Sequence, residues 1–184
     1  MTEVVMKKLI FAAVAAALAP ACAHTPKTPQ EEATLESKTS STLSEMRQKD
    51  PSIDQALRSA YAYAIFPEVG KAGFIAGGAS GAGILYEQGR PTGNVRISQA
   101  SFGAQAGAET FAELVLLHNQ DEVNKLKNGS FDLGANASAV VLKAGGAAAS
   151  ATARGTSVFV MPKGGAMVDI SVAGQKIKFE PFAG

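Results

Sequence analysis

The chain has one cysteine, two histidines and no tryptophan in 184 residues, and its formal charge is only +1. Each scarcity removes a class of protein. A lone thiol cannot build a disulfide framework. Cys22 and His24 both stand near the N-terminus, which leaves His118 as the one histidine in the body of the chain, too few ligands for a Cys/His zinc site. A near-neutral balance with interspersed signs lacks the basic footprint that binding to a phosphate backbone requires, so no nucleic-acid partner is expected. The most apolar run, Leu9 to Ala19, is too short for a helix that crosses a bilayer.

That run nevertheless has a context. Lys7 and Lys8 precede it, giving the charged n-region and apolar h-region of an export signal over residues 1–21. Met6, directly before the lysines, is a more natural start than Met1. Removing the segment takes away Glu3, Lys7 and Lys8 and leaves equal numbers of acidic and basic side chains. The junction Leu18-Ala19-Pro20-Ala21-Cys22 resembles a bacterial lipobox, with Ala19 where a larger aliphatic residue is usual. Ordinary cleavage after Ala21-Cys22-Ala23 competes with it, since those residues fit the A-x-A rule. Lipidation at Cys22 is preferred because the alternative leaves an unpaired thiol in an oxidising compartment. Ala23 beside the cysteine then points to the periplasmic side of the outer membrane, with a soluble periplasmic or secreted form as the alternative.

Residues 22–45 are expected to form a flexible tether, because prolines, threonines and charges dominate from Ala23 to about Ser41. Residues 46–184 are long enough for one domain with a core. Asp50-Pro51 is a helix start, and Ile53, Leu57, Tyr61 and Ile65 follow at spacing four, which predicts a helix to about Ile65. Phe66-Pro67 then marks a turn. From Gly70 to Gly107 small residues alternate with large apolar ones, and Gly89 to Gly93 punctuates them, the pattern of strands and hairpins. Phe111 to Leu117 reads as a buried strand, and Asn119 to Gly129 as a capped helix over 120–128. Segments 130–143, 147–153, 156–161, 166–172 and 175–179 complete the pattern as an antiparallel meander. The fold class expected is α+β, a curved antiparallel sheet, barrel- or sandwich-like, with an N-terminal helix and a short inserted helix.

Chemistry is sparse. Gly77 to Gly83 is glycine-rich but lacks the Gly-Lys-Ser/Thr of a phosphate loop and runs into Ile84-Leu85-Tyr86, so it reads as a curved strand and implies no cofactor. His118 has no G-x-S-x-G partner and reads as structural. Glu109, Glu113, Asp121, Glu122, Asp132 and Asp169 are scattered, as solvated surface charge would be. No catalytic or metal-binding residue is nominated, and an enzyme is the least supported class. Among the basic residues, Lys71, Arg90, Arg96 and Lys163 are the candidates for contact with anionic head groups if they converge.

The order Ile65-Phe66-Pro67, then Gly70 to Leu85, then Gly103-Ala104-Gln105-Ala106-Gly107 and Leu133-Gly134-Ala135-Asn136-Ala137-Ser138, resembles the SYLF domain family, also named after a yeast actin-binding protein. The resemblance runs from about Asp54 to Phe179. It implies a lipid-binding module: eukaryotic members bind phosphoinositides and actin, and bacterial ones occur as exported lipoproteins. Membrane lipids are therefore the partner expected, with an envelope protein docked by the domain as the alternative.

Overall fold

A computed structural model describes residues 25–73, 76–102, 107–129, 131–134, 138–142, 156–165 and 174–182. The signal-like segment, Cys22, and the expected strands 147–153 and 166–172 lie outside them. The described elements run α1 (Pro29–Lys49), α2 (Ser52–Ser59), β1 (Ala62–Gly73), β2 (Ala76–Glu87), β3 (Arg90–Phe102), β4 (Gly107–Leu117), α3 (Gln120–Lys127), β5 (Phe131–Leu133), β6 (Ser138–Val141), β7 (Ser157–Gly165) and β8 (Gln175–Glu180).

Helix α1 begins where a tether was expected. Thr28 accepts a hydrogen bond from the Glu31 amide, and the Glu31 carboxylate accepts from the Thr28 amide, a capping box with Pro29 in the first turn. Within it Leu35, Thr39, Thr42, Leu43 and Met46 are buried. The stripe mixes threonine with leucine, so composition alone reads as polar, although the spacing presents one face to the sheet.

Helix α2 stops at Ser59, short of the expected Ile65, and β1 starts at Ala62. The alternation Ala62, Ala64, Phe66 against Tyr63, Ile65 is a strand period that the spacing of four had masked. Pro67 is likewise no turn. It sits inside β1, between Phe66 and Glu68, where the register slips by one residue against both β2 and β4. A residue without an N–H is tolerated in a central strand only at such a bulge.

The eight strands form one sheet in the order β5-β8-β3-β2-β1-β4-β7-β6. All pairings are antiparallel except β6 with β7, which is parallel. The C-terminal strands are therefore not a meander: β5 and β8 extend one side of the sheet beyond β3, while β7 and β6 extend the other beyond β4. Chain order and sheet order part here because each strand joins whichever edge is still open.

Both faces of the sheet are buried. On the outer face α1 and α2 lay Leu43, Met46 and Ile53 over Ile65, Ile84, Leu114 and Leu116. On the inner face Phe66, Val69, Leu85, Ile97, Phe111 and Val158 pack with Val123 and Leu126 of α3. Each fully buried side chain of this size contributes about 1.5–3 kcal/mol. The sheet curls around the inner core as a half-barrel, and glycine permits the curl: a Cβ on Gly83 would lie 2.2 Å from the Ile65 carbonyl oxygen.

Candidate functional site

The four basic residues nominated above do not converge. Lys71 follows Val69 on the inner face and is only 5% exposed. Arg90 is exposed where β3 begins, at the other end of β1's length. Arg96 lies on the outer face of β3. Lys163, exposed on β7, lines a cleft of about 320 Å³ with Lys38, Thr42 and Glu45 of α1 and Pro67 and Glu68 of the β1 bulge.

What the fold does bring to Arg96 is a pair of lysines that composition did not single out. In β8 the alternation Gln175-Lys176-Ile177-Lys178-Phe179 buries Gln175 and Ile177 and leaves both lysines exposed. Arg96 stands directly opposite Lys178 in the β3–β8 ladder, and Ser98 stands opposite Lys176. Opposed residues of an antiparallel pair have Cβ atoms about 5 Å apart. Two acidic residues flank the row: Asp132 opposite Lys176 and Glu180 opposite Asn94. Among the described residues no ion pair neutralises Arg96, Lys176 or Lys178. The signal was legible as lysines at every second position of a strand, but only the register supplies the arginine.

The inner face holds the second polar group. Strand β4 alternates without a slip against β1 from Gly107 to Phe111, so Glu109, Phe111 and Glu113 point the same way. Glu109 and Glu113 are buried rather than solvated, as is Gln175. This corrects the surface reading of those carboxylates. Lys71 pairs with Glu109 across the β1–β4 ladder and with Ala79, which in turn pairs with Gln99, on the other side. Gln175 Nε2 donates to Glu113 Oε2 at 3.1 Å. Burial pushes the Glu113 carboxyl up to about 8, against the smaller opposing effect of that hydrogen bond. At neutral pH it is therefore mostly an acid. A protonated carboxyl has an O–H to donate, while Glu113 Oε1 and Gln175 Oε1 are both buried with no hydrogen-bond partner among the described residues.

His118 is exposed, with its Nε2 3.2 Å from Ser157 Oγ. The nearby Glu122 carboxylate accepts from the His118 backbone N–H at 2.6 Å, and Asn119 caps α3 through the Glu122 amide. Glu122 thus serves the helix start. Among the described residues no group of three or more histidine, cysteine or acidic side chains is placed to hold a metal ion.

These features define a small α+β fold: a curled sheet under an N-terminal helix pair, with an inserted helix against its inner core. Residues 98–181, from the middle of β3 to just past β8, match the family model described as Ysc84, Las17-binding protein actin regulator, which is the SYLF family that the sequence resembles. No curated protein matches the chain. The family is one of lipid- and protein-binding modules.

Proposed function

We propose that this protein is a non-enzymatic lipid-binding domain of the bacterial cell envelope, exported by residues 1–21 and held by acyl chains on Cys22 at the periplasmic side of the outer membrane. The observation that carries the reading is the family match over 98–181 in a chain that opens with an export-type segment. Acyl chains give membrane residence through the apolar area they bury, and the folded module adds contacts with lipid head groups.

Two measurements test it. Co-sedimentation of the unacylated mature chain carrying Cys22→Ser with vesicles containing phosphatidylglycerol or cardiolipin is expected to pellet the protein, and no binding to any anionic lipid defeats the lipid-binding function. The intact mass of the membrane-extracted protein is expected to show a diacylated or triacylated N-terminus at Cys22; an unmodified N-terminus at His24 defeats the anchor.

A second reading has one observation in its favour. The matching family is described by a protein partner, so the domain is alternatively an envelope docking module. Crosslinking in cells that captures one dominant protein, together with absent vesicle binding, selects it.

A further inference from the structure

We infer that the outer face of β3 and β8, carrying Arg96, Lys176 and Lys178, is the surface that lies against an anionic bilayer, on the side where the N-terminal segment leaves the domain. The inference rests on the lipid-binding reading and goes beyond it by fixing which face meets the membrane.

The first support is charge. Like charges directly opposite in an antiparallel ladder oppose folding, and Arg96 and Lys178 are so placed with no ion pair among the described residues to relieve them. A local arrangement that works against stability is a signature of a functional surface. Asp132 and Glu180 stand at the margins of the row and leave the Arg96–Lys178 pair between them.

The second support is access. Helix α1 crosses the outer face obliquely. Glu32 near its start accepts a 2.9 Å hydrogen bond from Asn94 Nδ2 on β3, and Thr39 about two turns further on meets Tyr86 on β2. Its last turns reach the cleft beside the β1 bulge and β7. The helix therefore covers the sheet from β3 toward β7 and leaves the β8 side open, where Ser98, Ala100, Lys176 and Lys178 are exposed.

The third support is the position of the anchor. Asn94 and Arg96 are two residues apart on the same face of β3, so the Glu32–Asn94 contact sets the start of α1 beside the cationic row. Cys22 precedes Pro29 by seven residues, a reach of about 24 Å at most. Acyl chains on Cys22 and the cations on β3 and β8 thus engage one membrane together. Such paired signals give stable attachment where one alone is marginal. An acidic protein would satisfy the charge, but only a bilayer is also brought there by the anchor.

The experiment uses the mature chain with Cys22→Ser, which removes the only thiol. Binding to vesicles of phosphatidylcholine alone and with one-third phosphatidylglycerol is compared for this protein, for the triple variant Arg96→Gln, Lys176→Gln, Lys178→Gln, and for a control triple Lys49→Gln, Arg58→Gln, Lys125→Gln of equal charge. Each cation near an anionic surface is worth about five-fold in affinity. The first triple is expected to lose roughly 100-fold for phosphatidylglycerol vesicles on that basis, and the control far less. A fluorophore on Ser98→Cys is expected to be quenched by brominated lipid, and one on Asp121→Cys not. Equal losses in both triples, or quenching only at Asp121→Cys, overturns the assignment while lipid binding stands. Failure of the parent to bind overturns both. Retained vesicle binding by the first triple with loss of a crosslinked acidic protein assigns the face to that protein instead and overturns the inference.

Discussion

Gln175 and Glu113 meet across the interior of the half-barrel, their side chains 3.1 Å apart, although three strands stand between β8 and β4 in the sheet. Only a strongly curled sheet brings strands so separated into contact. The bond thus closes the polar half of the inner face, where Lys71 and Glu109 also point, while α3 packs against the apolar half.

Stability should therefore depend on alkaline pH. The folded protein keeps the Glu113 proton up to about pH 8, whereas the unfolded carboxyl loses it in the ordinary range near 4.5. Between those values the native state binds more protons, so stability falls as pH rises, and the loss levels off above the folded value. Urea midpoints measured from pH 5 to pH 9 should decline for the parent. They should decline less for Glu113→Gln, whose amide keeps a donor for Gln175 and has no proton to lose. Identical slopes for the two proteins would place the pH dependence elsewhere.

Gly83 and Gly89 should respond oppositely in scale to the same change. A Cβ on Gly83 meets the Ile65 carbonyl oxygen at 2.2 Å and the Phe66 ring at 2.7 Å, both in a central strand that cannot retreat. Gly83→Ala should cost about 3 kcal/mol or more. Gly89 has open space but φ +78, so Gly89→Ala should cost only about 1 kcal/mol from backbone strain. Equilibrium urea unfolding measures both, and a Gly83→Ala protein of near-parental stability would contradict the curled packing.

Gln88 is the one non-glycine with positive φ among the described residues, and with Gly89 it forms the two-residue turn between β2 and β3. Hairpins of this kind prefer asparagine or glycine at the first position. Gln88→Gly should raise the stability by about 0.5–1 kcal/mol, read as an upward shift of the thermal midpoint. A lowered midpoint would mean that the Gln88 side chain makes a contact more valuable than the strain it carries.

Helix α1 should loosen before the sheet does. Its central contact is polar, Thr39 Oγ1 to the Tyr86 hydroxyl at 2.7 Å, with the Tyr86 ring stacked on Tyr63 at a centroid distance of 4.9 Å. Thr39→Val leaves the buried Tyr86 hydroxyl short of a partner and should cost about 1–2 kcal/mol. Amide hydrogen exchange should quicken across 29–49 while β1 and β4 keep their protection.

The sequence made α3, β4 and the glycine-shaped β2 legible, because each is written in local terms: Asn119 and Gly129 bracket a helix, seven residues from Phe111 are nearly all apolar, and Gly81 and Gly83 sit where the inner core crowds the backbone. Three readings went astray for identifiable reasons. Residues 29–41 look solvated because α1 covers the sheet with threonines as well as leucines. Tyr61 and Ile65 continue the spacing of α2 by coincidence, Tyr61 lying beyond the end of the helix and Ile65 already inside β1. Long-range pairing cannot be counted from turns, so the parallel β6–β7 ladder and the placement of β8 beside β3 were out of reach. The same holds for the site. Arg96 was visible as a cation, but its lysine neighbours depend on a register between strands some eighty residues apart, and the burial of Glu113 depends on the curl.

Pro67 carries a lesson about reading substitutions along β1. Before it, even-numbered residues face the inner core, as Ala62, Ala64 and Phe66 do; after it, odd-numbered ones do, as Val69 and Lys71 show. Parity inverts at that single ring, so any mutational scan of this strand must be interpreted in two separate phases. Removing one residue beside the proline would take out the extra residue of the bulge and restore plain alternation with Val69 and Lys71 still turned inward, so the rest of β1 would keep its faces and lose only the kink.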